Sequence, residues 1–163
     1  MIRTDIPEGL DKSQRCRLIA VRLQGIAASE RDPLANLCNF MAALYWMMGK
    51  VNWVGLYIRR GDDLVLGPFC GKPACSRIAV GKGVCGTAAQ SGCVQIVPDV
   101  HRFPGHIACD DASRSELVIP LFVRGKLWGV LDLDSPEAGR FDDEDRRGLE
   151  AVAAMVEKLA EAL

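Results

Sequence analysis

The sequence predicts one α+β domain built around a mainly antiparallel β-sheet. Its 163 residues suit a single domain, since domains commonly contain about 100–150 residues. Apolar residues recur at helical spacing near both ends of the chain, whereas the middle holds short runs rich in β-branched and aromatic residues. This order of elements is typical of an α+β fold. We therefore expect one domain over residues 1–163, with helices at about 11–49, the sheet and site loops at about 51–135, and a last helix at about 142–162.

Two helices are predicted in the first third of the chain. Asp11 followed by Gln14 resembles a capping box, and Asp32 before Pro33 is a second start signal. The apolar stripe of the second helix stops before Gly49, a residue that suits a helix end. The stripe consists of Leu34, Leu37, Cys38, Met41, Leu44, Tyr45 and Met48. The pattern therefore predicts that Cys38 is a small core residue.

Strands and loops alternate in the middle of the chain. Strands are predicted at 51–59, 63–69, 93–97, 115–123 and 127–134, with a short helix at 84–91. Glycine and proline are frequent in residues 67–83, and turn signals recur in residues 98–114, so both segments are expected to be mainly loop. The last helix is expected to open with the four acidic residues 142–145, where the helix dipole favours negative charge.

The composition argues against nucleic-acid and membrane functions. Twenty basic and 21 acidic residues give a net charge of −1, so the chain has no basic surplus to attract phosphates or anionic lipids. The N-terminus lacks the apolar segment of a secretory signal, and the longest apolar run, residues 41–48, is far shorter than the roughly 20 residues that span a bilayer. We therefore expect a cytoplasmic protein that binds neither nucleic acid nor membranes.

The cysteines are the first functional signal. Five of the seven lie between residues 70 and 109, namely Cys70, Cys75, Cys85, Cys93 and Cys109. Static disulfides are rare in a reducing compartment, so such a cluster indicates metal binding or thiol chemistry.

Three chemistries compete for the two loop-rich segments. The candidate zinc ligands are Cys75, Cys85, His106 and Cys109. No Cys-x-x-Cys or His-x-x-x-His spacing accompanies them, so no metal site is predicted. Acyl transfer could use His106 with Cys109, but no group that would orient the base is evident. Thiol redox chemistry needs an accessible thiolate and a second thiol that reaches it. Cys75, Cys85 and Cys109 all lie in glycine-bearing contexts that suit it, but spacing alone does not name the reacting pair.

Acidic residues on the last two strands form a second signal. Strand alternation places Asp132 and Asp134 on one face, which a solvated outer face would explain. A three-residue hairpin loop at 123–125 would pair Glu116 with Asp132 and bring all three carboxyl groups to that face. A two-residue loop would instead send Glu116 to the opposite face.

Clustered carboxyl groups and nearby aromatic residues could bind a ligand. Crowded carboxylates raise one another's pKa, which supplies a proton donor near neutral pH beside an ionised acceptor. They would also attract an ammonium group. Trp53 and Tyr57 share one face of the first strand, where they could form the wall of an apolar slot or simply belong to the core.

Seven segments of the chain closely resemble the free methionine-(R)-sulfoxide reductases, which are single GAF domains. The segments are 67–69 (Gly-Pro-Phe), 71–75 (Gly-Lys-Pro-Ala-Cys), 83–88 (Gly-Val-Cys-Gly-Thr-Ala), 99–110 (Asp-Val-His-Arg-Phe-Pro-Gly-His-Ile-Ala-Cys-Asp), 115–116 (Ser-Glu), 129–136 (Gly-Val-Leu-Asp-Leu-Asp-Ser-Pro) and 139–141 (Gly-Arg-Phe). The likeness extends from about residue 33 to the C-terminus. Cys70 and Cys93 are additional to the cysteine triplet of that family.

The resemblance implies a GAF-like α+β fold with helices on one face of a twisted antiparallel sheet and an enclosed ligand pocket on the other. It implies an oxidoreductase that reduces the R-sulfoxide of free methionine, through a cysteine sulfenic acid and an intramolecular disulfide, without a metal or organic cofactor. A thioredoxin-like dithiol would regenerate the enzyme. The resemblance is also compatible with assembly as a homodimer. The alternative is a GAF module that binds a small ligand or senses oxidants without turnover. Such a sensor needs an output domain, for which 163 residues leave no room.

The resemblance also implies roles for the candidate residues. Cys109 would attack the sulfoxide sulfur and become a sulfenic acid. A carboxyl of raised pKa would protonate the oxygen, and the remaining carboxylates would hold the substrate ammonium. The carboxyl groups are those of Glu116, Asp132 and Asp134, with Glu116 and Asp134 counted among the catalytic residues. Trp53 and Tyr57 would border the sulfoxide methyl group.

The thiol that resolves the sulfenic acid is expected to be Cys75 rather than Cys85. A disulfide needs two Cα atoms within about 6.8 Å, and a thiol in a loop can make that approach by loop movement. Cys85 lies at the start of the helix predicted at 84–91, and the helix would restrain it. The same helix start would favour the Cys85 thiolate, so Cys85 stays among the catalytic candidates.

Overall fold

A computed structural model describes residues 3–107 and 110–163 of the chain. Its elements are α1 (Lys12–Ser29), α2 (Pro33–Met48), β1 (Trp53–Arg60), β2 (Asp63–Gly71), β3 (Arg77–Ala79), α3 (Gly83–Ser91), β4 (Gln95–Val97), a 3-10 turn (Val100–Arg102), β5 (Ser115–Val123), β6 (Lys126–Ser135), α4 (Asp143–Gly148) and α5 (Glu150–Ala160). The strands form one sheet in the order β3-β2-β1-β6-β5-β4. All neighbouring pairs are antiparallel, which confirms the predicted α+β class. Within the described residues, no helix combines the length and apolarity that crossing a bilayer requires.

Both N-terminal helices begin at the predicted signals. The Asp11 side chain accepts a hydrogen bond from the Gln14 backbone N–H at 2.7 Å, and the Gln14 side chain accepts one from the Asp11 N–H at 3.1 Å. Asp32 caps α2 by accepting from the Ala35 N–H at 2.8 Å. Gly49 ends that helix with a φ of 69°. These contacts confirm the capping box and the second start signal.

The prediction that Cys38 belongs to the core is wrong. Its side chain is exposed, because the buried face of α2 is rotated toward Phe40 and Met47. Leu34, which the predicted stripe also included, is 51% exposed. Both residues lie at the edge of the apolar face, where periodicity alone does not decide burial.

The two faces of the sheet support two separate apolar clusters. Helices α1, α2 and α5 pack on one face, where Leu56, Leu117 and Leu131 are fully buried. The opposite face carries Trp53 and Tyr57 and is covered by α3 and the adjoining loops. Alternation along each strand therefore sends one set of side chains to the helical core and the other to the α3 face.

The hairpin between β5 and β6 differs from the predicted one. Its loop has two residues, because Val123 pairs with Lys126. Arg124 and Gly125 have φ values of 49° and 72°, which suit a type I′ turn. The predicted three-residue loop, and with it the pairing of Glu116 with Asp132, is wrong.

A β-bulge next to this turn keeps the carboxyl groups together. The register shifts between Leu121 and Phe122, which leaves Trp128 as an extra residue in β6. Beyond the bulge, Glu116 pairs directly with Asp134. The extra residue restores the alternation that a two-residue loop would otherwise have reversed, so the shared face is confirmed although the pairing was not.

Two further elements depart from the sequence prediction. Strand β2 continues to Gly71, and β3 pairs with it inside the segment predicted as mainly loop. The predicted last helix is divided into α4 and α5 at Leu149. Gly148 lies so close to α1 that a Cβ atom there would stand 2.5 Å from Cys16 Sγ. The close approach requires glycine, and glycine in turn favours a helix interruption.

Candidate active site

A pocket of about 530 Å³, counting the part open to solvent, lies on the α3 face of the sheet. Six predicted site residues line it: Trp53, Tyr57, Cys85, Glu116, Asp132 and Asp134. Cys75 lies in the β2–β3 loop, directly after Pro73 and Ala74, which line the pocket. Cys109 lies outside the described residues, between Ile107 and Asp110 of the pocket wall.

Three adjacent strands build the acidic wall of the pocket. Trp53 of β1 pairs with Asp134 of β6, which pairs in turn with Glu116 of β5. Asp132 lies opposite Gly55, two residues further along. The carboxyl groups therefore stand on neighbouring positions of a rigid sheet, as strand alternation dictates.

Burial changes the protonation of these carboxyl groups. Glu116 and Asp132 are 6% and 5% exposed, and Asp134 is half-buried. Burial raises the pKa of Asp132 to about 7. Burial, with the negative charge of Asp132 second, raises the pKa of Glu116 and of Asp134 well above the usual carboxyl range. The cluster can therefore hold a proton at neutral pH, and a cation in the pocket would favour its ionised form.

Cys85 projects from the first turn of α3 into this cluster. Its side chain is 3% exposed, and its thiol donates a long hydrogen bond of 3.8 Å to Glu116 Oε1. Burial and the charges of Asp132 and Glu116 raise the pKa of this thiol well above its ordinary value. The expectation that the helix dipole makes Cys85 the readier thiolate is therefore wrong, because desolvation and nearby carboxylates outweigh the dipole.

Cys75 belongs to the β2–β3 loop and is half-buried and disulfide-bonded. The Tyr57 hydroxyl donates to the Cys75 carbonyl at 2.9 Å, and Trp53 Nε1–H donates to the Lys72 carbonyl at 3.2 Å. The two rings stack with centroids 5.9 Å apart. Trp53 and Tyr57 thus do more than line a slot, because they also hold the backbone of this loop. Sequence alternation placed them on one face but gave no signal of these contacts.

The two loops that contain Cys75 and Asp110 are joined by an ion pair. Lys72 Nζ lies 3.2 Å from Asp110 Oδ1, and Asn52 Nδ2 donates to Asp110 Oδ2 at 3.2 Å. The Ala112 N–H, and after it Lys72 and Asn52, hold the pKa of Asp110 below its usual value. These contacts attach Asp110 both to the residue that precedes β1 and to the loop that contains Cys75.

His106 and the start of α3 complete the pocket, although the sequence suggested His106 only as a zinc ligand or an acyl-transfer base and gave Lys82 and Gly83 no role. His106 Nε2 lies 3.9 Å from Glu116 Oε2, and burial lowers the histidine pKa. Lys82 and Gly83 line the pocket where α3 begins, and none of the described side chains caps that helix end. The pocket thus has an acidic wall and, at α3, backbone N–H groups of the kind that favour negative charge. The sequence signal for His106 was its place in the 99–110 segment, close to Cys109.

Comparisons with known proteins agree with this architecture. The GAF-domain family model matches residues 22–159. The free methionine-R-sulfoxide reductase of Escherichia coli is 53% identical over 134 residues, which cover 82% of this chain and 81% of the relative. The free methionine-R-sulfoxide reductase of Saccharomyces cerevisiae is 39% identical over 158 residues, covering 91% of this chain and 87% of the relative.

A solved structure is similar over almost the whole chain. It is the free methionine-R-sulfoxide reductase of Neisseria meningitidis in complex with its substrate, which is 41% identical. The match has a TM-score of 0.93 and covers 99% of this chain and 97% of the other.

Proposed function

Because this chain belongs to the GAF-domain family, and within it to the free methionine-R-sulfoxide reductases, we propose that it reduces free methionine-R-sulfoxide to methionine. The observation that carries the proposal is a pocket in which Glu116, Asp132 and Asp134 stand beside the rings of Trp53 and Tyr57. Carboxylates suit the substrate ammonium, and aromatic rings suit its methyl group. A methionine residue within a protein has no such ammonium, which explains selection of the free amino acid.

In the first chemical step of the proposed cycle, Cys109 is the nucleophile. The Cys109 thiolate attacks the sulfoxide sulfur, and a carboxyl of the cluster donates a proton to the oxygen. The oxygen is then transferred to Cys109, which becomes a sulfenic acid, while methionine leaves in its reduced form. The raised pKa of Glu116 and Asp134 supports a proton donor at this position, because a carboxyl that stays protonated near neutral pH can donate.

In the second step of the proposed cycle, Cys75 is the thiol that resolves the Cys109 sulfenic acid. Its sulfur attacks the sulfenic sulfur of Cys109, a disulfide forms, and water leaves with the oxygen. Cys75 is disulfide-bonded in the structure, whereas Cys85 is free and buried, which supports Cys75 over Cys85. An external dithiol of the thioredoxin type then returns two electrons and restores both thiols.

The surroundings proposed for the enzyme follow from this cycle. A reducing cytoplasm would supply the dithiol, and the free state of Cys16, Cys38, Cys70, Cys85 and Cys93 is consistent with it. The proposed partners are the free sulfoxide and a thioredoxin-like reductant, with a homodimer as an allowed assembly. The proposed cycle requires no metal or organic cofactor, because every electron passes through sulfur.

Incubation with racemic free methionine sulfoxide and dithiothreitol tests the proposal. The wild-type protein should consume at most half of the racemate, because only the R epimer reacts. Cys109→Ser should abolish consumption, since serine cannot supply the soft sulfur nucleophile, whereas Cys93→Ser should retain it because Cys93 is exposed and free. N-acetylated methionine sulfoxide should react poorly. Absence of any consumption by the wild type would favour the sensor alternative.

A further inference from the structure

Cys85 is a buried thiol that the proposed catalytic cycle does not consume. It is free, and its Sγ lies within 4.8 Å of carboxylate oxygens of both Glu116 and Asp132. The two oxygens also lie within 4.8 Å of each other, and all three residues are buried. Among the described residues, no other group of histidine, cysteine and acidic side chains is as compact.

One atom of this cluster lacks the partner that its burial demands. Asp132 Oδ1 is buried and has no hydrogen-bond partner within the described part of the chain. Asp132 is only 5% exposed and lines the pocket. Buried polar atoms are nearly always hydrogen-bonded, and buried charges are paired or coordinate a metal. The unpartnered oxygen therefore indicates that a ligand completes this cluster.

We propose that Cys85, Glu116 and Asp132 form a binding site for a zinc-like divalent cation, and that this cation excludes the substrate from the pocket. Cysteine and carboxylate ligands are ones that zinc accepts, whereas magnesium and calcium prefer oxygen alone. Zinc–ligand bonds of about 2.0–2.3 Å bring neighbouring ligand atoms to roughly 3.5 Å. The ligand atoms of Cys85, Glu116 and Asp132 lie at most 4.8 Å apart, so side-chain shifts of about an ångström would bring them to the distance that a bound zinc requires.

A fourth ligand position is available next to the cluster. His106 Nε2 lies 3.9 Å from Glu116 Oε2 and faces the same pocket. Histidine nitrogen is a common zinc ligand, and a water molecule could occupy the position instead. A three-residue site with one open position is the usual arrangement where zinc keeps an exchangeable ligand.

Cation binding transfers protons but no electrons. The metal–sulfur bond forms as the Cys85 thiol releases its proton to solvent, and any protonated carboxyl that ligates does the same. Glu116 and Asp132 are also the groups assigned to the substrate ammonium, so one occupant excludes the other. Only this competition rests on the proposed function; binding of the cation itself does not.

Cobalt(II) provides a direct probe, since it substitutes for zinc and reports thiolate ligation by a charge-transfer absorption. The titration uses the disulfide form of the wild-type protein, in which Cys75 cannot ligate. We expect the absorption to saturate at one equivalent of cobalt. Cys85→Ser should abolish it, whereas Cys93→Ser should retain it. Glu116→Gln should weaken cobalt binding about tenfold or more, with circular dichroism confirming that each variant is folded.

The outcomes separate the metal site from the reductase activity. Displacement of cobalt by free methionine sulfoxide would support the competition, and failure to displace it would overturn that part. An absorption that is absent, or that persists unchanged in Cys85→Ser, would overturn the site. A protein that binds cobalt through Cys85 but never consumes methionine sulfoxide would support the site and contradict the proposed function.

Discussion

The protonation of Asp132 makes the free energy of unfolding depend on pH. Its pKa is raised by burial from 3.8 to about 7. Below about pH 4 the carboxyl is protonated in both the folded and the unfolded state, so its stability contribution is fully present. As pH rises toward 7 the unfolded chain loses the proton first, and the free energy of unfolding falls by about 1.4 kcal/mol per unit of pKa difference at most.

Asp132→Asn should therefore flatten the loss of stability between about pH 4 and pH 7. Urea unfolding at intervals across this range measures the effect. Asp142→Asn is the matched control with the opposite sign, because Lys12 lowers the pKa of Asp142 to about 2. Asparagine can also keep the helix cap, so the control should lack only the stability that ionised Asp142 contributes above about pH 4, and the decline of the wild type as pH falls from about 4 toward 2 should be flattened in it. Identical pH profiles for wild type and Asp132→Asn would contradict the burial argument.

The resolving thiol can be identified by separating the two chemical steps. Cys75→Ser should still release up to one equivalent of methionine per protein and then accumulate a sulfenic acid that dimedone traps. Cys85→Ser should still form the Cys75–Cys109 disulfide, because its sulfur takes no part in resolution. Peptide mapping after one equivalent of substrate reads both results. A dominant Cys85–Cys109 peptide in the wild type would reverse the assignment.

Among the helices, the contact of α4 with α1 leaves no room for a single added atom at Gly148. A Cβ at Gly148 would lie 2.5 Å from Cys16 Sγ and 2.7 Å from Cys16 Cβ, so the helices would have to separate. Gly148→Ala should lower the free energy of unfolding by about 1–3 kcal/mol. Gly25→Ala is the control, because Gly25 lies within α1 and a Cβ there has no neighbour within 4 Å. That change should stabilise the protein by about 0.5–1 kcal/mol. Equal effects at the two positions in urea unfolding would rule out the packing explanation.

The sequence predicted elements well where the signal was local. The caps at Asp11 and Asp32 and the ends of β1 depend on neighbouring residues, and all were located within two positions. Strand β3 was missed because its three residues depend on pairing with β2, which local sequence does not encode. The break at Leu149 likewise reflects packing of Gly148 on a distant helix.

The site was predictable as a set of residues but not as a set of contacts. Alternation and motif resemblance together identified the three carboxyl groups and the two aromatic rings that line the pocket. The contacts of Tyr57 with Cys75 and of Lys72 with Asp110 join segments that are distant in sequence. Such contacts depend on how loops close over the sheet, and a single sequence carries no periodic signal for them.

Across the whole molecule, the redox state of Cys75 should change resistance to unfolding. A disulfide restricts the unfolded chain and typically contributes about 2–4 kcal/mol. The oxidised protein should therefore unfold at higher urea concentration than the protein reduced with dithiothreitol. Cys75→Ser should show no such difference between the two conditions. Equal midpoints for oxidised and reduced wild type would mean that the bond forms without constraining the unfolded chain.

The sheet divides the molecule into a stabilising half and a reactive half. The helices α1, α2 and α5 bury one face, while the pocket lies on the other beside α3. Substitutions within the reactive half can therefore alter chemistry while the larger apolar cluster stays unchanged. This division allows one fold to serve many functions, since the site residues are separate from those that maintain the core.

The extra residue at Trp128 determines which changes of chain length this protein could tolerate during evolution. This bulge sets the alternation of side chains in the rest of β6. Each later side chain stays on its face of the sheet only while the number of residues after the bulge is unchanged. Deletion of one residue between Trp128 and Asp132 would point Asp132 and Asp134 into the apolar core on the helical face. The same deletion would point Leu131 and Leu133 into the pocket. Insertion of residues in the turn at Arg124 and Gly125 would leave the alternation of side chains in β6 unchanged. Descendants of this chain should thus vary at the tip of the hairpin and not along its final strand.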